Sequence, residues 1–138
     1  MAENEFLVYF LDEALDILSA WEKACLDLER DNSQDSKEVL YRCAHNLKGG
    51  GAAVGLGEFS EVVHKVEDLI SKVLSGQLER DSITIRIFLD AHSLLSEWME
   101  ALKRGESFES AARSRELIRT VAEVLAERSP SAASPTPS

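Results

Sequence analysis

Leu40-Tyr41-Arg42-Cys43-Ala44-His45-Asn46-Leu47-Lys48-Gly49-Gly50-Gly51-Ala52-Ala53-Val54 can be read in two ways, and the two give different folds. As a glycine-rich loop it would belong to a nucleotide-binding α/β domain. As an unbroken helix it belongs to an all-α bundle. The loop reading fails. There is no GxxxxGK[ST], the lysine precedes the glycines, and no strand pattern leads into them. The helix reading holds from end to end. With Leu40 at zero and about 100° per residue, Ala44, Leu47, Gly51 and Val54 fall within about 40° of one line. His45 falls at about 140°, Lys48 at about 80°, Gly49 at about 180° and Ala52 at about 120°. The helix therefore has one apolar face and presents a histidine to solvent. A lysine stands one turn on, with nearly bare backbone beyond it.

Three glycines inside a helix need a reason, since each costs about 1 kcal/mol relative to alanine. Ending the helix at Gly49 would strip Ala52, Ala53 and Val54 of their place in the pattern. The expectation is that the glycines keep the surface flat so that another protein can approach His45.

The same periodicity extends outward from this segment. Leu7, Leu11, Ala14, Leu18, Trp21, Cys25 and Leu28 alternate spacings of four and three, widened by Phe6, Phe10 and Ile17, and predict a first helix over residues 4–29. A polar connection follows, with Asp35 or Ser36 as the N-cap of a second helix over 37–54. Gly55-Leu56-Gly57 breaks the chain. A third helix over 58–74 faces Phe59, Val62, Val66, Leu69, Ile70 and Val73 inward and stops at Gly76. Asp81 or Ser82 caps a fourth, which carries Phe88, Ala91, Leu95, Trp98, Met99 and Leu102 and ends near Gly105. A fifth over 108–127 uses Ala112, Leu117, Val121, Val124 and Leu125. Long amphipathic helices joined by short links give an up-down antiparallel four-helix bundle, with the fifth helix added at the C-terminal end. Residues 1–128 are read as one domain, and the Pro/Ser-rich residues 129–138 as a linker or disordered tail.

Composition narrows the function. The 138 residues carry a net charge of −10, which argues against nucleic acid and anionic membrane as partners. No apolar run is long enough to span a bilayer. The acidic opening residues carry no secretory-leader pattern, so the expected location is the cytoplasm. Cys25 and Cys43 lack CxxC spacing and sit among apolar positions, as buried free thiols do.

On the third helix, His64 and Glu67 lie at about 160° and 100° from Val66, off the apolar face and able to lean toward a neighbouring helix. A solvated face is the simpler reading of that pair. His92, near the flank of the apolar face of the fourth helix, is read as structural. Glu61-Val62-Val63-His64 is one Glu-x-x-His, the unit that di-iron bundles use twice together with two further glutamates. No second copy is present and His64 points off the apolar face, so no metal site is expected.

Ala44-His45-Asn46-Leu47-Lys48-Gly49-Gly50-Gly51 closely resembles the phosphorylation motif of histidine-containing phosphotransfer (HPt) domains. His64 and Glu67 follow His45 by 19 and 22 residues. That spacing is similar to the N-terminal phosphotransfer domain of CheA-type chemotaxis histidine kinases. The resemblance covers the five helices, and the Pro/Ser tail resembles the linker that follows such a domain. The segment Ala52-Ala53-Val54-Gly55-Leu56 lacks the aromatic residue often found before the turn in the family.

The resemblance implies a phosphoryl carrier. His45 takes the γ-phosphoryl of ATP from a histidine kinase catalytic domain and passes it to an aspartate of a response-regulator receiver. A free imidazole, with a pKa near about 6.5, is largely neutral at pH 7 and can attack phosphorus. Glu67 is the candidate for holding Nδ1–H and so making Nε2 the nucleophile. Lys48 is the candidate for neutralising phosphoryl oxygens. His64 is the candidate for bonding either the ring or the phosphoryl group. The chain has no ATP site of its own and is expected to need no cofactor and to be monomeric. The alternatives are a free-standing relay protein of the same family and, in another class, a non-phosphorylated helical adaptor that binds receivers.

Overall fold

The structure, a computed structural model, describes residues 2–128. Five helices follow one another: α1 (Ala2–Asp31), α2 (Gln34–Ala53), α3 (Gly57–Leu74), α4 (Ser82–Lys103) and α5 (Ala111–Arg128). No strand occurs among the described residues. The Pro/Ser-rich segment expected to be a linker lies outside them.

The short links make consecutive helices antiparallel. α1 packs against α2 and α4, and α2 packs against α3. α3 and α4 touch little. α5 lies against both and closes the side they leave open, adding Leu117, Val121 and Val124 to the core. Phe59 on α3 meets Trp98 on α4 edge to face at 5.5 Å, and Phe108, in the link before α5, stacks on Trp98 at 5.8 Å. The expected α1 seam from Leu11 to Leu28 is buried, and Trp21 donates its indole N–H to the carbonyl of Phe88 at 2.9 Å. That bond joins α1 to α4 and leaves no unpaired donor on a fully buried side chain. Cys25 and Cys43 are buried free thiols. Burial is the main force pushing them up, to about 12 and about 11, so neither is a nucleophile at neutral pH.

Four local expectations need correction. The N-cap of α2 is Ser33, not Asp35 or Ser36. Asn32 takes a left-handed conformation that ends α1, and the extended Ser33 accepts the amide of Ser36 on its hydroxyl at 3.0 Å. α5 begins at Ala111 rather than at residue 108, because Phe108 is held by Trp98 in an irregular link. Ala112 is consequently exposed. Phe6, expected to widen the α1 seam, is 66% exposed, because α1 extends past the end of the surface that α2 offers it.

The boundary of α4 follows its sequence signal. Asp81 is the cap, accepting the amides of Ile83 and Thr84, while the Thr84 hydroxyl takes the amide of Asp81. Arg128 at the end of α5 bonds the other Asp81 oxygen at 2.5 Å and ties the last helix to the start of α4. Among the described residues no helix is long and apolar enough to cross a membrane.

Candidate functional site

α2 runs unbroken through Gly49, Gly50 and Gly51 and ends at Ala53, where the Leu56 amide returns to the Gly51 carbonyl at 2.8 Å and Gly55 takes φ 86°. The three glycines are not equivalent. A Cβ on Gly49 would meet nothing within 4 Å. On Gly50 it would lie 2.6 Å from the Phe10 ring, and on Gly51 2.9 Å from the Phe59 ring. Of the three, only Gly49 faces open space, so the expectation that all three keep a surface open fails for Gly50 and Gly51. Gly50 lets α1 approach and Gly51 lets α3 approach.

The close approach at Gly51 brings α3 alongside the histidine face. Ser60 donates its hydroxyl to the Lys48 carbonyl at 2.9 Å, fixing α3 beside that turn of α2. Two turns further along α3, Glu67 reaches across. Its Oε2 accepts Nδ1 of His45 at 3.0 Å, and its Oε1 accepts Nζ of Lys48 at 2.6 Å. Nδ1 is the donor of the first bond, because an ionised carboxylate only accepts. Although Glu67 lies off the apolar face of its own helix, only 7% of its side chain is exposed, because α2 covers it. Burial alone would raise its pKa. The hydrogen bonds from Lys48 and His45 outweigh that and hold it below the ordinary 4.5. The same contact raises Lys48, chiefly through the hydrogen bond to Glu67. A buried carboxylate fully used by two donors is one whose charge the fold retains.

The structure thus joins three of the four expected residues. His64 stands apart from them. It is 49% exposed, and its nearest ionic contact is Asp68, one turn on, at 3.9 Å. Lys48 engages Glu67 and not the ring, so its first effect is to hold the carboxylate. Nε2 of His45, with the side chain 59% exposed, has no hydrogen-bond or ionic partner among the described residues. His92 is half-buried and near the Ser96 hydroxyl, consistent with a structural residue. Glu61 pairs with Lys65, and among the described residues no three His, Cys, Asp or Glu side chains converge.

Two features were missed by the sequence reading. Tyr41, one turn before His45, stacks on its ring, and the four-residue spacing was the signal for it. Phe6 and Tyr9 are exposed at 66% and 69%, and Phe6 borders a shallow groove with Ala53, Val54 and Gly55 at the end of α2. Their spacing, three residues apart on one helix, did not distinguish an outward pair from a core pair.

The family model for the Hpt domain matches residues 5–105, which span α1 to α4 and contain His45, Lys48, His64 and Glu67. The chain belongs to the Hpt domain family. This Hpt domain is 29% identical over 111 residues to the chemotaxis protein CheA of Salmonella typhimurium, covering 79% of the chain and 16% of that protein. It is 30% identical over 103 residues to CheA of Treponema pallidum, covering 74% of the chain and 13% of that protein. It is 27% identical over 135 residues to the gliding motility regulatory protein of Myxococcus xanthus, covering 98% of the chain and 17% of that protein. The chain therefore spans 13–17% of the length of these relatives. Among solved structures, the phosphorylated P1 domain of CheA3 in complex with CheY6 from R. sphaeroides superposes with a TM-score of 0.83 at 24% identity, covering 91% of this chain and 98% of that one. The likeness establishes the five-helix Hpt fold, with α5 lying beyond the family match.

Proposed function

We propose that this Hpt domain is a phosphoryl carrier of a chemotaxis-type two-component system and that His45 bears the group. The single observation behind this reading is the double use of Glu67. One oxygen holds Nδ1–H of His45 and the other holds Lys48, so the lone pair of Nε2 is left facing solvent. In the charging step Nε2 attacks the γ-phosphorus of ATP bound to a histidine kinase catalytic domain. The N–P bond forms as the bond from that phosphorus to the bridging oxygen breaks, and the electron pair leaves with ADP. The ring gains positive charge, and Glu67, ionised at neutral pH, faces that charge across the Nδ1 hydrogen bond. In the discharge step the N–P bond breaks with its electrons returning to Nε2, and phosphorus bonds an aspartate oxygen of a response-regulator receiver.

The P1 domain in complex with CheY6 supports a response-regulator receiver as one partner, and the likeness to proteins named CheA supports a histidine kinase catalytic domain as the other. Exposed Gly49, Ala52 and Ala53, continuing toward Phe6 at the end of α2, leave a low-relief surface beside the histidine for either partner to approach. Lys48 holds Glu67 in the resting state and offsets the phosphoryl charge when it arrives. His64, one turn before Glu67 on α3 and outside the resting hydrogen-bond set, is assigned to the ring or the phosphoryl group only once the group is carried. The setting is the cytoplasm, where ATP is available.

The test is transfer of label from γ-labelled ATP to the chain by a CheA-type kinase core. The wild-type chain gains acid-labile label and then loses it to a receiver. His45→Gln gains none, while its helical signal stays at the wild-type level and the lost Nδ1 bond to Glu67 costs on the order of 1 kcal/mol of stability. Full labelling of His45→Gln would place the phosphoryl group elsewhere and defeat the reading.

A further inference from the structure

Tyr41 is the aromatic residue closest to the reactive ring, and neither hydrogen bonding nor ion pairing accounts for it. Side chains on a helix lean toward its N-terminus, so the ring at position 45 lies back over position 41. The two rings are stacked, 6.0 Å apart between centroids with their planes 19° from parallel. The members of the stack are unequal. Tyr41 is half-buried and packs against the core, whereas His45 is mostly exposed. The phenol is therefore a fixed surface and the imidazole is the part free to move. One turn on, Gly49 offers no side chain, so the ring is backed on its N-terminal side only.

A single hydrogen bond from Nδ1 to Glu67 fixes one point of the imidazole. The ring could still tilt about that point, or rotate to break it. A flat surface behind the ring opposes both motions, and it does so without touching Nε2.

We propose that Tyr41 is a positioning residue for phosphoryl transfer at His45, its ring acting with Glu67 to hold the imidazole with Nδ1 inward and Nε2 outward. The inference rests on the carrier reading, because it assigns the purpose of the held ring. The holding itself is a separate, measurable property. Transfer depends steeply on the alignment of the attacking atom, so a loosened ring slows the chemical step rather than partner binding.

The experiment compares the full chain with Tyr41→Phe, Tyr41→Leu and Tyr41→Ala. Charging by a kinase core is followed over a range of chain concentrations, and the imidazole nitrogens of His45 are observed by NMR at a pH where the ring is neutral. Tyr41→Ala lowers kcat for charging roughly three- to tenfold, the scale of one aromatic stack, with KM unchanged. Its nitrogen shifts move toward a mixture of tautomers. Tyr41→Phe keeps the aromatic face and stays within about twofold of wild type in both readouts. Tyr41→Leu fills the space without a π-face and behaves like Tyr41→Ala, which keeps the test informative if the alanine variant unfolds.

A wild-type rate and wild-type nitrogen spectrum in Tyr41→Ala or Tyr41→Leu would overturn the role of Tyr41 and leave the carrier reading intact. A Tyr41→Phe variant as slow as Tyr41→Ala would also overturn it, since the hydroxyl and not the stacked face would then matter. Absence of label on the wild-type chain, with the nitrogen spectrum still altered in Tyr41→Ala, would overturn the carrier reading and with it the assigned purpose, while the ring-holding contact remained.

Discussion

Glu67 uses its two oxygens on two different donors, and its charge state governs both. Because its pKa in the fold lies below 4.5, the stabilisation it provides is complete above the unfolded value and is lost as pH falls through the folded value. Wild type should therefore be more stable than Glu67→Gln at pH 7, and the gap should shrink toward pH 3. Thermal melts of both proteins at the two pH values check this, and a gap that stays constant would mean that the carboxylate is not the source. The same substitution should slow charging of His45. An amide can present a donor or an acceptor to Nδ1, so it selects no tautomer, and it removes the negative charge that faces the ring during attack. Charging rates measured alongside the melts separate the two effects.

At the scale of the element, the glycine run of α2 serves two neighbours and one surface. Gly49→Leu adds a helix former where a Cβ meets nothing, so stability should hold or rise by up to about 1 kcal/mol. Phosphoryl transfer should nonetheless slow, because the new side chain stands one turn beyond His45 on the side a partner would approach. Gly51→Ala should do the reverse. Its Cβ would press on Phe59, which is fully buried between Phe10 and Trp98. Overpacking costs about 1–3 kcal/mol, against at most about 1 gained in helix propensity, so the variant should be destabilised. Denaturant unfolding of the two variants checks the pair. A Gly51→Ala protein as stable as wild type would show that Phe59 can move aside.

For the whole molecule, the division of labour is spatial. The site lies on α2 and α3, whereas α5 packs on α3 and α4 and closes the side between those two helices. Leu117 on α5 is part of the core, so Leu117→Ala should cost about 2–3 kcal/mol, near the low end for a buried leucine because the position is at the rim. The rate of charging at His45 should stay at the wild-type value below the melting transition. A fall in rate at a temperature where the helical signal is intact would mean that α5 supports the site through α3.

The sequence by itself determined the number of helices among the described residues, the main buried seam of each apart from Phe6 and Ala112, and the exposure of His45. Those follow from spacing along one chain, which fixes angles around a helix's own axis. Leu40, Ala44, Leu47 and Gly51 could be assigned to the core without knowing what they would touch. The nucleotide-loop alternative could be dismissed on the same ground. Only the tertiary structure decided how one helix is set against the next. That offset buries Glu67 although it lies off its own apolar face, brings its two oxygens to His45 and Lys48, and leaves His64 three residues earlier in solvent. It also divides the glycines between Phe10, Phe59 and open space, and leaves Phe6 outside the core that its spacing had suggested. Periodicity states which way a side chain points from its own axis. Whether another helix is there to meet it depends on contacts between residues far apart in the chain, and no local pattern encodes that distance.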